Sequence, residues 1–242
     1  MALRQTEGLI GSIIRLLGLA LAVPDHTTLS RRAETLEVPR PRSDSDAEPV
    51  HLLVDSTGLK LCGPGEWLIE KHGTRRRRAW RKMHIGVDAD TGRIVAATLT
   101  THDADDGAQV GPLLDQVAAP LASFMGDGAY DQEGGLRQRR RAPSRGGHYR
   151  TTAVPSATAE TAPTQRDRHL QLIAEKGRMG WQKASGYNWR ARAEATIGRF
   201  KRVIGDGLHA RTGQRQATEM NVALMVLNRM LELGRPTSVR TA

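Results

Sequence analysis

Val50-His51-Leu52-Leu53-Val54-Asp55-Ser56-Thr57-Gly58 is the stretch on which the fold turns. The apolar run 50–54 is short and is followed by turn-forming residues. It therefore predicts a buried strand terminating at the carboxylate of Asp55. Outward from it, Trp80 to Val87 and Arg93 to Thr100 read as two further strands. The turn Asp88-Ala89-Asp90-Thr91-Gly92-Arg93 between them is a hairpin signal. Asp106 to Val117 sets Val110, Leu113, Leu114 and Val117 on one face and predicts a helix. Leu121 to Met125 predicts a fourth strand, ending at Gly126-Asp127-Gly128. Strands, a helix and another strand give an α/β class with a mixed sheet flanked by helices.

Before this core, residues 3–19 carry Leu9, Ile10, Ile13, Ile14, Leu16 and Leu17 at helical spacing, and Pro24 ends the segment. Asp25 or Thr27 can cap a second, basic helix from Thr28 to Leu36. The pair fits a helix-turn-helix or an ordinary helical hairpin, and the motif's loose sequence pattern favours the hairpin. Residues 39–49, rich in Pro, Ser and charge, read as a linker. Residues 133–167 hold no sustained apolar pattern and read as an irregular insert. Order resumes at His169 to Ala174, followed by a stronger helix from Trp189 to Val203. A last helix, Ala217 to Leu233, is expected to turn Val222, Met225, Val226, Met230 and Leu233 inward. The expected organisation is a helical segment 1–38, the linker 39–49, a domain 50–213 and a C-terminal helix within 214–242.

The 242 residues carry 36 Lys+Arg against 26 Asp+Glu, a formal charge of +10. Six of the cations are lysine and thirty are arginine. Arginine suits bidentate phosphate contacts, so a polyanionic partner leads. An arginine excess also follows from a GC-rich genome, so the ratio alone decides nothing. A single cysteine, Cys62, excludes a disulfide framework and a Cys-based zinc cluster. Leu9 to Val23 imitates a signal peptide, but Glu7 precedes the run and Arg15 interrupts it. The chain is expected to be cytoplasmic and to make no use of a membrane.

Asp55 and Asp127 each follow an apolar strand, at the rim where open α/β sheets place ligands. Either could equally be a turn residue or a helix cap. On the later helix, Arg190, Glu194 and Lys201 share one face, and Tyr187 lies about one turn earlier. Taken alone, that face is also what a solvated Arg–Glu pair looks like. Three carboxylates from two strand ends and a helix suit hard divalent ions, two of which can drive phosphoryl displacement. Arg190, Lys201 and the strip Arg75, Arg76, Arg77 and Arg78 would hold a phosphodiester backbone by charge. Trp80, Trp181 and Trp189 could stack on an unpaired base, with core packing the better reading for Trp80. A metal site from His84, Asp88 and His102 is weaker, since His84 and Asp88 suit a strand and a turn.

The blocks HLLVDSTGLKLCGPGEWLIEKHG, RRAWRKMHIGVDADTGRIVAA, FMGDGAYD and Y-x2-R-x3-E-x6-K closely resemble DDE transposases of bacterial insertion sequences, of the group named for insertion sequence five. The resemblance covers residues 24–131 and 151–242. It implies an RNase H-like fold with Asp55, Asp127 and Glu194 as a catalytic, metal-binding triad. It implies two ions, Mg²⁺ or Mn²⁺ in its place, and Tyr187, Arg190 and Lys201 close to transposon-end DNA. The implied activity is hydrolysis at the ends of the element, then strand transfer into target DNA. The implied partners are double-stranded DNA (terminal inverted repeats and target) and a second copy in a homodimer, at the nucleoid. The resemblance departs in two places. Residues 1–38 correspond to a shortened DNA-binding region, and 133–150 supplies neither the helix nor the strand expected after GDGAYD. A compensating pair of frameshifts would explain 133–150, and translating the other two frames tests it. The alternative function is therefore a catalytically impaired, DNA-binding transposase remnant.

Overall fold

The computed structural model describes residues 3–38, 48–61, 80–130 and 165–234. Helices α1 (Leu3–Leu16) and α2 (His26–Thr35) form an N-terminal pair. Asp25 is the cap of α2: its Oδ1 accepts from the Thr28 N–H at 2.6 Å, satisfying a donor that the first turn leaves without a helical partner. The sheet is built from β1 (Val50–Leu61), β2 (Trp80–Asp88), β3 (Ile94–Thr101), β4 (Leu121–Met125) and the short β5 (Gly207–Leu208). A 3₁₀ turn, Gly107–Gln109, leads into α3 (Val110–Leu114) between β3 and β4. Helices α4 (Gln165–Ala184), α5 (Arg190–Val203) and α6 (Gly213–Leu233) follow.

The strand order is β3-β2-β1-β4, with β5 pairing the far end of β1. β1–β2 and β2–β3 are antiparallel, and β4 and β5 run parallel to β1. This mixed five-stranded sheet flanked by helices is RNase H-like. Side chains alternate along β1, so its two faces enter different cores. Leu53 and Leu59 pack with Ala193 and Phe200 of α5 and Met220, Leu224 and Leu227 of α6. Leu52 and Val54 pack on the other face with Val110 and Leu113 of α3. Among the described residues no helix is long and apolar enough to cross a membrane.

Three sequence expectations change. β1 does not terminate at Asp55 but runs on to Leu61, because Ser56 to Lys60 stay paired with His84 to Trp80 of β2. The helix expected over 106–117 is a 3₁₀ turn and a five-residue helix. α6 presents a different face: Met225, Val226, Met230 and Leu233 are exposed and Val222 is half-buried. Buried instead are Met220, Ala223, Leu224 and Leu227, together with Gln216, Thr218 and Asn228. The polar members of that face find partners. Asn228 accepts from the Ile94 N–H (2.9 Å) and donates to the Ile94 carbonyl (2.8 Å), and Gln216 accepts from Arg81 Nε (3.0 Å). Residues 39–47 of the linker and 131–164, with most of the expected insert, lie outside the described residues. Residues 165–167, expected to be irregular, open α4.

Candidate active site

In the parallel ladder Leu53 stands opposite Met125. Asp55 and Asp127 lie two residues beyond them on their two chains. The period of two therefore sets both carboxylates on the face that Leu53 and Met125 share, beneath α5. Asp55 is buried, its Oδ1 accepting from the Ser56 N–H at 2.9 Å. Asp127 is partly exposed just past β4, with Oδ1 accepting from the Ala129 N–H at 2.9 Å, an Asx-type turn.

The 3₁₀ turn Tyr187–Trp189 leads straight into α5, and Gly186 ahead of it takes φ 66°, a conformation that favours glycine. This delivers Arg190 to the carboxylates. Its Nη2 lies 3.7 Å from Asp127 Oδ2 and 3.5 Å from Glu194 Oε1, and its Nη1 donates to the Tyr187 hydroxyl at 2.6 Å. The Tyr187 ring in turn rests against the buried Trp181, centroids 5.2 Å apart. The structure thus brings Asp55, Asp127, Arg190, Glu194 and Tyr187 together. It does not bring Lys201 to them: Lys201 is exposed on α5, and its charge acts on Asp206. Arg75 to Arg78 lie outside the described residues.

Burial pushes the Asp55 carboxyl above its ordinary range, against the Ser56 hydrogen bond and the Arg190 charge, while Asp127 and Glu194 push it further up. Burial also works against the Arg190 charge, but the Tyr187 bond and the carboxylates outweigh it and the guanidinium is held more firmly protonated. Three carboxylates around one arginine are hard oxygen donors with unmet negative charge, a donor set suited to Mg²⁺ or Mn²⁺. Among the described residues no three His, Cys, Asp or Glu side chains stand ready-made as a metal cluster. Asp55 and Asp127 each follow the paired Leu53 and Met125 by two residues; Glu194, whose side chain is 58% exposed, approaches the same Arg190 nitrogen as Asp127.

Behind Asp55, on the other face of the sheet, lies a polar group that the sequence reading did not assemble. His84 is buried, with Nδ1 3.2 Å from the Tyr130 hydroxyl and Nε2 3.0 Å from Thr100 Oγ1. Burial lowers its pKa to about 4, so the ring is neutral at neutral pH. Asp88, weighed with it as a metal ligand, accepts instead from the Asp90 and Thr91 amides in the β2–β3 turn. The pairing of alternating residues on β2 and β3 with GDGAYD was the available clue. Of the tryptophans, Trp80 is not in the core: it lies partly exposed over Gly58, where a Cβ would come within 3.2 Å of its ring. Trp181 is fully buried and out of reach of a base, and Trp189 is partly exposed beside His51.

A family model described as the transposase DDE domain matches residues 46–229, and a second model of the same description matches residues 1–64. With a match running from the approach to β1 through most of α6, the chain belongs to the transposase DDE domain family.

Proposed function

We propose that this transposase cleaves DNA at the ends of a bacterial insertion sequence of the insertion sequence five group and transfers the strand into target DNA. The observation that carries the reading is that Asp55 and Asp127 each lie two residues beyond the paired Leu53 and Met125, with Arg190 linking Asp127 to Glu194. Asp55, Asp127 and Glu194 would hold two divalent ions, Mg²⁺ or Mn²⁺. When bound, such ions activate an attacking oxygen and stabilise the leaving oxygen of an in-line phosphoryl displacement. Arg190, oriented by the Tyr187 hydroxyl, offers a fixed guanidinium to a phosphate oxygen. Lys201 and the strip Arg75 to Arg78 add charge for the DNA backbone. Hydrolysis breaks one phosphodiester P–O bond and leaves a 3′-hydroxyl. That hydroxyl attacks a target phosphodiester and expels a target 3′-oxygen, conserving the number of phosphodiester bonds. Two ends must meet, which calls for a homodimer.

The test is a labelled duplex carrying the element's terminal inverted repeat, incubated with the protein and Mg²⁺ or Mn²⁺. The expected result is end-specific nicking that disappears in Asp127→Asn. Binding without nicking would identify a catalytically impaired remnant, and nicking indifferent to the repeat would identify a general nuclease.

A further inference from the structure

The carboxylates sit on the α5 face of the sheet, yet the most elaborate buried polar group lies on the opposite face. Tyr130 is 1% exposed and three residues past Asp127, and its N–H donates to the Asp127 carbonyl at 3.1 Å. The chain can fold back this tightly because residue 126 is glycine: a Cβ there would stand 3.1 Å from the Tyr130 Cβ. The hydroxyl of Tyr130 meets His84 Nδ1 at 3.2 Å and hydrogen-bonds Ser56, the residue after Asp55. Ser56 and His84 are direct partners in the β1–β2 ladder. One phenol oxygen therefore ties the strand that carries Asp55 to the turn that carries Asp127.

His84 is fixed in its turn. Its Nδ1 is also 3.2 Å from Asp106 Oδ1, a buried oxygen that has no hydrogen-bond partner, while Lys82 Nζ donates to Asp106 Oδ2 at 2.9 Å. The neutral ring has one nitrogen to donate and one to accept, and it spends them on the Tyr130 hydroxyl and Thr100 Oγ1. A phenylalanine would fill the same volume without any polar group to desolvate, so packing does not explain the hydroxyl. Hydrogen bonds between buried groups, made in low-dielectric surroundings, hold the elements they join in one relative position.

We propose that Tyr130 is a positioning residue for the carboxylate pair: its hydroxyl, held by Ser56 and His84, sets the turn of Asp127 against the strand of Asp55. The role rests on the metal-dependent reading above, since carboxylates that share ions need their separation fixed to a fraction of an ångström. Two measurements on the whole chain test it, at a temperature well below unfolding. The first is Mn²⁺ affinity by electron paramagnetic resonance for wild type, Tyr130→Phe, Asp55→Asn and Leu113→Ala, the last a core control in the same layer. Tyr130→Phe is expected to bind Mn²⁺ about tenfold more weakly, as for other partners that orient metal ligands, while Leu113→Ala binds as wild type. The second is amide exchange without metal, expected to quicken at residues 126–130 in Tyr130→Phe and not along α6. Wild-type Mn²⁺ affinity in Tyr130→Phe, equal weakening in Leu113→Ala, or unchanged exchange at the turn overturns the proposal. If Asp55→Asn binds Mn²⁺ like wild type, the metal-dependent reading fails instead. The exchange comparison, which needs no metal, then decides the role of Tyr130 alone.

Discussion

Nη2 of Arg190 stands 3.7 Å from Oδ2 of Asp127, across the gap between the start of α5 and the end of β4. The same nitrogen is 3.5 Å from Glu194, one helical turn further on. Asp127 and Glu194 therefore meet through a cation and not directly. The guanidinium stands where negative charge converges, and its hydrogen bond to Tyr187 fixes it there. A carboxylate cluster with its own counter-charge folds without the repulsion that three bare carboxylates would impose. The same counter-charge competes with any divalent ion for those oxygens.

Removing Arg190 should thus separate two affinities that usually fall together. Arg190→Gln is expected to bind Mn²⁺ about five- to tenfold more tightly in the absence of DNA, from one repulsive charge a few ångströms away in partly screened surroundings. Its affinity for inverted-repeat duplex is expected to drop, with a shallower salt dependence from one lost phosphate contact. Calorimetric Mn²⁺ titration and filter binding at two salt concentrations read both effects. Weaker Mn²⁺ binding in the variant would show that Arg190 supports the ion site and does not oppose it.

Asp55 carries a stability consequence with a definite sign. Its native pKa lies above the unfolded one, so the native state holds the proton more tightly. The associated stability is present at pH values below the unfolded pKa and is lost as pH rises through the native value. At neutral pH the ionised, buried carboxylate is a cost. Asp55→Asn keeps an oxygen for the Ser56 N–H and removes the charge. It is expected to abolish nicking while leaving the Tm at pH 7 unchanged or higher, measured by scanning calorimetry without metal. A clear fall in Tm would contradict the assignment of burial as the dominant effect on this group.

The elements that were legible in the sequence are those whose apolar pattern has one cause. Val50 to Val54 and Leu121 to Met125 are largely buried, and short runs broken only by His51 and Ser123, which bond each other, say so. Asp55-Ser56-Thr57-Gly58 reads as a strand end because polar and glycine residues there have two possible causes, a turn or a site. Here Asp55 faces the other carboxylates, Ser56 faces Tyr130, and Gly58 makes room for Trp80. The spacing of Arg190 and Glu194 put them on one face correctly, but Lys201, on the same stripe, lies two turns away with no hydrogen bond or ion pair to the three carboxylates. Helical periodicity fixes direction, not reach. The Tyr130–Ser56–His84 contact joins Tyr130 to a residue 46 positions away and to its ladder partner on β1, and only the sheet register brings them together.

His84 should make the fold acid-sensitive above the range where carboxylates titrate. Its native pKa of about 4 lies below the ordinary 6.5 because burial penalises the charged ring. Between those values the unfolded chain takes up a proton that the native state refuses. Stability is therefore unaffected above 6.5 and falls as pH drops from 6.5 towards 4, by roughly 3 kcal/mol at most. Urea unfolding of wild type and His84→Gln at pH 7.5 and 4.5 checks this. The variant is expected to be less stable at pH 7.5 but to lose less on acidification. Equal losses in the two proteins would assign the acid sensitivity to other groups.

The face that α6 buries makes the last prediction. A periodicity argument counts apolar residues, and Met225, Val226, Met230 and Leu233 form a stripe as good as the one actually used. What selects the other face is Asn228. Its amide closes two hydrogen bonds on the backbone of Ile94, at 2.9 and 2.8 Å, where β3 begins. Both groups are buried, so truncating the side chain strands a donor and an acceptor without water. Asn228→Ala is expected to cost about 2–6 kcal/mol, since each of the two stranded buried groups costs about 1–3. Met230→Gln, on the exposed stripe, is expected to stay within about 0.5 kcal/mol of wild type. Chemical denaturation of both variants decides the matter. A large loss in Met230→Gln with little change in Asn228→Ala would mean that α6 packs by the stripe its apolar residues suggest.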